Sequence, residues 1–389
     1  MTVWDDLVGQ EPAVDVLTRA VSGAAARLRG ESGAATAGMT HAWLITGPPG
    51  SGRSNAGRAF AAALQCADEG CGECSVCRTA LSGAHPDVSL IRTELLSIRV
   101  SEIRELIRRA AMSPTQGRWQ VMVVEDADRL TEQAADALLK SIEEPSPRTV
   151  WVLCAPTVED VVPTIRSRCR LLVLRTPPVD AVAEMLSRTL GVDASLAGFA
   201  ARAAQGHIGR ARALARDEAV RDRRTKVLEV PFALRDIGAC LKAAQQLAEA
   251  AKEEAKASAA AVDEKERTAL EQALGVGTKG AKPREAAAAV KDLEEQQKAR
   301  AKRWERDVLD RSLVDLMALY RDVLVVQTRA GSDLINAELH KSITQFADRT
   351  TPEQTVRRIG ALAACREAIE TNVAPLLALE AMTINLFEG

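Results

Sequence analysis

Aromatic side chains are scarce in this 389-residue chain: five tryptophans, five phenylalanines and a single tyrosine. That argues against a β-rich core, while abundant alanine favours helices packed at close range. No charge sign is in excess. Lys and Arg number 51 against 53 Asp and Glu, a formal net charge of -2, so no chain-wide basic field marks a nucleic-acid binder, and any DNA contact must be local. Uninterrupted apolar runs approaching about eighteen residues are missing, and Thr2 to Asp6 carries no basic stretch leading into an apolar one. A soluble, cytoplasmic protein is the expectation, of two or three domains, since the chain is too long for one core.

What the chain does concentrate is cysteine. Cys154, Cys169, Cys240 and Cys365 stand alone, whereas Cys66, Cys71, Cys74 and Cys77 are clustered. Their C-x4-C-x2-C-x2-C spacing, with Gly70 and Gly72 as turn residues, lets four thiolates converge on a tetrahedral ion. In a reducing compartment such a cluster points to metal rather than disulfides. Four sulfurs leave no open coordination position, so the expected Zn²⁺ is structural; an iron–sulfur cluster and unligated thiols are the competing readings. The first interval is short, and Cys66 is the ligand least fixed by the spacing.

Apolar runs at Ala42–Thr46, Val121–Val124, Val150–Leu153 and Arg170–Leu174 are short and apolar on both faces, as buried parallel strands are. Helix-period stretches lie between them, at Ser101 to Met112 and Thr131 to Glu143. This predicts a doubly wound α/β core over residues 1–176, with Pro177-Pro178 marking its end. Ala, Leu and Arg at helical spacing predict a helical lid over 177–216, and 217–389 reads as an all-α domain. Within it, residues 242–303 hold no aromatic side chain. Seams of 3-4 spacing run through Leu241, Ala244, Ala248, Ala251 and Ala255 on one arm, and Val290, Leu293, Gln297, Ala301, Trp304 and Val308 on the other. With the turn Gly275–Pro283 between them they predict an antiparallel helical hairpin, either a docking arm or a solvated insertion.

Gly47-Pro48-Pro49-Gly50-Ser51-Gly52-Arg53-Ser54 follows a predicted strand and precedes an alanine-rich helix, the context of a Walker A phosphate loop. Gly47, Gly50 and Gly52 let backbone N–H groups approach phosphate, the helix N-terminus adds partial positive charge, and Ser54 is placed for Mg²⁺. Arg53 is the one departure. A lysine ammonium fits between β- and γ-phosphates where a planar guanidinium does not, so ATP hydrolysis should suffer more than binding. The second strand ends in Glu125-Asp126, where a Walker B segment keeps carboxylates for Mg²⁺ and a water; the usual order is Asp, then Glu. Plainer readings stay open for both, a ligand-free glycine turn and helix N-caps. His85 reads as a hydrogen-bonded structural residue rather than a base or fifth metal ligand.

Several strings stand in a specific order. They are Val8-Gly9-Gln10, the altered phosphate loop, the cysteine module, His85-Pro86-Asp87, Ser101 to Leu106, Ala137-Leu138-Leu139-Lys140-Ser141-Ile142-Glu143-Glu144-Pro145, Pro163-Thr164-Ile165-Arg166-Ser167-Arg168-Cys169, and Asn372 to Glu380. The ordered set resembles the delta-prime family of bacterial DNA polymerase III clamp-loader subunits, over nearly the whole chain outside the charged hairpin. The resemblance implies an AAA+ core, a lid and a helical collar assembling with gamma/tau and delta subunits into a five-membered arc that places a sliding clamp on primed DNA. It also implies that Arg168 serves, in trans, the ATP of a neighbouring subunit, where residue pattern alone allows a local salt bridge. Val8 and Gly9 would border the adenine, Arg210 would be the lid's second sensor, and Thr157 would lie near the first. With Arg53 and the reversed acidic pair, the resemblance implies a holoenzyme subunit that is not an efficient ATPase by itself. Two alternatives remain: a catalytic gamma/tau-type subunit, which shares the cysteine module and the Ser-Arg-Cys string, and a zinc-dependent DNA-binding protein with a vestigial ATPase fold. The second would need a basic and aromatic run beside the cysteines, and only Arg78 is close by.

Overall fold

A parallel sheet of order β2-β3-β4-β1-β5 organises the first part of the chain. The computed structural model describes residues 2–93, 97–273, 284–371 and 373–389, which divide into two units, Met1–Arg216 and Asp217–Gly389. In chain order the first unit runs α1 (Glu11–Leu28), β1 (Ala42–Thr46), α2 (Arg53–Gln65), α3 (Ser75–Ser82), β2 (Val88–Ile91), α4 (Val100–Ala110) and β3 (Gln120–Val124). It continues with α5 (Glu132–Glu143), β4 (Thr149–Ala155), α6 (Pro163–Arg166) and β5 (Arg170–Val173). Every residue of β1, β3 and β4 is buried, because the crossover helices cover both faces. Trp43, Ile45, Val123 and Val152 pack on one side with Phe60 of α2, and Leu44, Met122, Trp151 and Leu153 on the other with Ile103 of α4 and Leu138 of α5. β2 is not among the predicted strands: Val88-Ser89-Leu90-Ile91 is short and interrupted by a serine.

Three further helices, α7 (Val179–Leu190), α8 (Ala194–Ala204) and α9 (Ile208–Arg216), complete this unit. Ala197, Ala200, Ala201 and Ala204 are buried on α8, small enough for its neighbours to approach closely, and Asp193 caps it by accepting from the N–H groups of Ser195 and Leu196.

Asp87, just before β2, is nearly inaccessible and fastens the turn that leads into β3. Its carboxylate accepts from Thr115 N–H at 2.7 Å, Thr115 Oγ1 at 2.9 Å, Gln116 N–H at 2.9 Å and Gly117 N–H. Burial pushes the carboxyl up, but these hydrogen bonds together outweigh it and hold the pKa below the usual carboxylate range. A depressed folded pKa contributes stability that is present above the unfolded value, near ~3.9, and is lost only as pH falls through the folded value. Asp87→Asn is therefore expected to lower stability by about 2–3 kcal/mol, as for a lost charged hydrogen-bond acceptor. In denaturant titrations the gap between wild type and variant should stay constant from pH 8 down to about 5 and close only below about 4. A gap already closing between pH 7 and 5 would assign the effect to another group.

The second unit is helical: α10 (Glu218–Ala233), α11 (Ile237–Ala273), α12 (Arg284–Thr328), α13 (His340–Asp348), α14 (Pro352–Glu370) and α15 (Pro375–Glu388). Leu309, Leu313 and Leu316 of α12 are buried with Leu362, Leu379 and Met382. The two long helices pair antiparallel beyond the expected 242–303 at both ends, because the apolar repeat continues through Leu313 and Leu316. The anticipated turn at Gly275–Pro283 lies outside the described residues. In the seam Ala244, Ala251, Ala255 and Ala259 are buried, whereas Leu241 is 41 % exposed. A polar pairing replaces the seam further out. Arg300 is buried beside Asp263, at 3.1 Å, and Glu266, and Gln297 Nε2 donates to the Asp263 carbonyl at 3.1 Å. A slip of one turn would bury Arg300 without its carboxylates, which fixes the register of the arms. Near the other end, buried Asp322 accepts from Ile335 and Asn336 N–H at 3.0 and 2.7 Å. Buried Arg224 reaches Asp315 at 3.1 Å. No described helix is long and apolar enough to cross a membrane.

Candidate functional site

The phosphate-loop segment leaves β1 and feeds α2, whose first residue is Arg53. The same unit encloses it. Gly47 N–H donates to the Pro156 carbonyl at 3.1 Å, beyond β4, and Ile208 N–H donates to the Gly50 carbonyl at 3.3 Å. A Cβ on Gly50 (φ 82°) would lie 2.3 Å from His207 Cγ, so the loop and the start of α9 touch in a way only glycine permits. Val8 is buried, and Gly9 (φ 68°) abuts Pro178, where a Cβ would fall 2.6 Å from Cδ. Gln10 stitches this segment to the loop: Nε2 donates to the carbonyls of Arg175 at 2.6 Å and Ser51 at 3.4 Å, and Oε1 accepts from Arg175 N–H at 3.0 Å. Val8, Gly9, Gly47, Gly50, Gly52 and the first turn of α9, which carries Arg210, thus come together. Arg210 is half-buried, and its N–H donates to His207 Nδ1 at 3.2 Å.

Arg53 turns back on its own loop, Nη1 donating to the Gly47 carbonyl at 2.7 Å. Burial pulls its pKa down, against the opposing influence of Cys154, Asp128 and Asp126. Ser54 is half-buried on the same helical turn, and Ser51 Oγ and Asp126 Oδ2 are buried without a hydrogen-bond partner among the described residues. The acidic pair is split in role. The Glu125 side chain is 3 % exposed and sits 2.5 Å from Arg58 Nε of α2, so its charge is neutralised within the core. Asp126 acts electrostatically on Arg53 and makes no side-chain cap to the 3-10 turn Ala127–Arg129 that follows. Thr157 is taken up locally, its N–H and Oγ1 reaching Asp160 at 2.8 and 2.9 Å. His85 Nδ1 accepts from Asp87 N–H at 3.2 Å, and burial lowers its pKa.

Arg168 lies elsewhere, just after α6. Pro163 starts that turn, and Ile165, fully buried in the second sheet core, anchors it. The Arg168 side chain is 40 % exposed. Its Nη2 lies 2.6 Å from Glu143 Oε1, at the end of α5, and Nη1 donates to the Thr164 carbonyl at 2.8 Å and to Ser167 Oγ at 3.2 Å. A local ion pair therefore exists, with a partner from a different segment. Burial pushes the adjacent Cys169 thiol up to about 12, which leaves it unreactive at neutral pH.

The four clustered cysteines form a third site. Their sulfurs all lie within 4.8 Å of one another, with Cys66 Sγ 3.7 Å from Cys71 Sγ and 3.9 Å from Cys74 Sγ. Zn–S bonds of about 2.3 Å imply a tetrahedron edge of about 3.8 Å, so the donor set and spacing fit zinc. Cys66 ends α2 and Cys77 lies in α3, both buried, whereas Cys71 and Cys74 are half-buried in the turn between. Backbone N–H groups of Cys74 and Glu73 pull the Cys71 thiol down to about 7, while burial pushes Cys77 up. A divalent ion would hold both as thiolates. The module is tied to the core by Val3 N–H to the Gly70 carbonyl at 3.1 Å and Arg118 Nη1 to the Cys66 carbonyl at 2.8 Å.

Gln10, Arg58, Glu143 and His207 had no assigned role in the sequence reading. Each stands inside or near a recognised string, but a partner 25 or more positions away, or a contact with a glycine, leaves no local pattern.

Residues 29–178 match the family described as DNA polymerase III, delta subunit, and residues 265–386 match its C-terminal region; the second match begins inside the hairpin. DNA polymerase III subunit delta' of Pseudomonas aeruginosa is 36 % identical over 156 residues, 39 % of this chain and 48 % of that protein. The Escherichia coli subunit of the same name is 36 % identical over 182 residues, 45 % of this chain and 54 % of that one. DNA polymerase III subunit gamma/tau of Mycobacterium tuberculosis is 33 % identical over 155 residues, 39 % of this chain and 27 % of that protein. The chain spans about half the length of the delta' relatives it matches.

Proposed function

We propose, from the premise that this chain belongs to the DNA polymerase III delta-subunit family, that it is the delta-prime-type subunit of a clamp loader. It works within an assembly of gamma/tau and delta subunits that places a sliding clamp on primed DNA in the cytoplasm. Residues 1–176 form its AAA+ core, 177–216 its lid and 217–389 its collar. One observation carries the reading: the guanidinium of the chain's own phosphate loop is folded onto Gly47, while that of Arg168 stands at the surface.

A working loop sends a lysine to the β- and γ-phosphates. Arg53 is instead engaged with a loop carbonyl, and Glu125, in the place of the metal-binding Asp, is neutralised by Arg58. Both contacts favour a site that turns ATP over poorly even if Val8, Gly9, the loop glycines, Ser54, Asp126 and Arg210 hold nucleotide. Arg168 has what a trans-acting residue needs: exposure, a fixed anchor and a planar fork of donors matched to phosphoryl oxygens. Cys66, Cys71, Cys74 and Cys77 would hold a Zn²⁺ ion that supplies a cross-link and no chemistry.

The test is reconstitution with catalytic gamma/tau-type and delta-type subunits. The isolated chain is expected to hydrolyse ATP well below about 1 s⁻¹, the lower end of working phosphoryl-transfer enzymes, and its omission should abolish clamp loading on primed DNA. Turnover by the isolated chain at or above that rate would favour the gamma/tau-type reading. Tight, salt-resistant DNA binding by the isolated chain would favour the DNA-binding one.

A further inference from the structure

Arg168 is held by a carboxylate of its own chain, and the placement of that carboxylate carries a consequence. Glu143 is the last residue of α5, whose Leu138 and Ile142 are fully buried; the Ile142 carbonyl bonds His41 Nε2 at 2.8 Å, which fixes the helix end. Arg168 hangs from Ile165, buried in the same core. Both ends of the pair are therefore set by the fold rather than by chance surface contact. The carboxylate meets Nη2, while Nη1 is engaged by two neutral oxygens, the Thr164 carbonyl and Ser167 Oγ. Nη1 can keep its pose when Nη2 changes partner.

We infer that Glu143 is the exchangeable counter-ion of Arg168, a positioning residue that holds the guanidinium in the free subunit and competes for it with the terminal phosphate of the neighbour's ATP. This rests on the reading of Arg168 as acting in trans. The side chains are 40 % and 44 % exposed, and ion pairs so placed shift an equilibrium by only about two- to fivefold. The pair is strong enough to aim the arginine and weak enough to yield to a multiply charged phosphate. A fully buried pair would not exchange so cheaply.

The experiment is Glu143→Gln, which keeps shape and removes charge, in the reconstituted loader. The KM for ATP should fall about two- to fivefold, with kcat changed less than about twofold, and the shift should shrink as added salt screens the wild-type pair. Glu143→Asp, which keeps the charge, should return KM toward wild type. In an Arg168→Ala background, Glu143→Gln should change nothing further. An unchanged KM in a loader that Arg168→Ala still slows would overturn the counter-ion role and leave the trans-arginine reading standing. If Arg168→Ala itself has no effect, that underlying reading falls. A drop in kcat, or the same KM shift without Arg168, would mean that Glu143 acts only through the fold, and would overturn the inference.

Discussion

Replacing Arg168 by alanine should slow hydrolysis at the adjoining subunit's ATP site on the order of 10³-fold, the lower end of what a guanidinium brought in trans contributes to phosphoryl transfer. In the proposed role the arginine would neutralise charge spread over the γ-phosphoryl oxygens. The measurement is single-turnover hydrolysis in the complete loader with ATP at this interface, because other sites dilute the effect in steady state. Arg168→Lys should recover less than about a tenth of the lost rate, since an ammonium cannot reproduce the planar fork. Thermal stability of the isolated variant should barely change: the pair with Glu143 is half-exposed at both ends, and such pairs contribute about 0–1 kcal/mol. Loss of activity therefore could not be laid to misfolding. A wild-type rate for the alanine variant sinks the trans role.

The sheet was legible in the sequence because buried parallel strands write themselves as short runs apolar on both faces. β1, β3 and β4, buried throughout, appear where Ala42–Thr46, Val121–Val124 and Val150–Leu153 stand, within a residue or two at the ends; β5 appears at Arg170–Val173 but not as a buried strand, since it lies at the sheet edge with Leu171 and Val173 exposed and only Leu172 buried. β2 escaped because an edge strand of four residues with Ser89 inside carries almost no periodic signal. In the hairpin, alanine spacing gave the paired helices, yet Leu241 is exposed and Arg300 is buried. Period alone does not distinguish a seam leucine from one beyond the seam, and it places no ion pair between arms. At the phosphate loop the substitution of Arg53 was plain from the residue itself. Where its guanidinium goes was not, since the acceptor is the carbonyl of Gly47, a backbone group that leaves no mark in a sequence. Glu125 was read as a displaced metal carboxylate; its engagement with Arg58 depends on α2 crossing the end of β3, a tertiary fact.

Purified chain should contain about one zinc, and removing it should cost far more than the loss of any single surface contact. At a thousandfold excess of free metal over its dissociation constant, binding stabilises the folded form by about 4 kcal/mol. The loss should fall first on the module and the sheet face it packs into, where Cys66 and Cys77 are buried; the core on the other face, with α4 and α5, contains none of the four cysteines. Val3, fastened to Gly70, and Arg118, fastened to Cys66, are the routes by which loosening would spread to the N-terminal segment and the start of β3. Hydrogen exchange after chelation should therefore accelerate over residues 66–77 and then at 2–9 and 117–120, with α4 and α5 little changed. Cys66→Ser and Cys77→Ser should cost more than Cys71→Ser or Cys74→Ser: the first pair is buried and held by α2 and α3, whereas the second lies in a half-buried turn where a water can fill the vacated position. Sub-stoichiometric metal after gentle purification, or a melting temperature indifferent to chelator, would leave the four sulfurs as a packed thiol cluster with no ion at its centre.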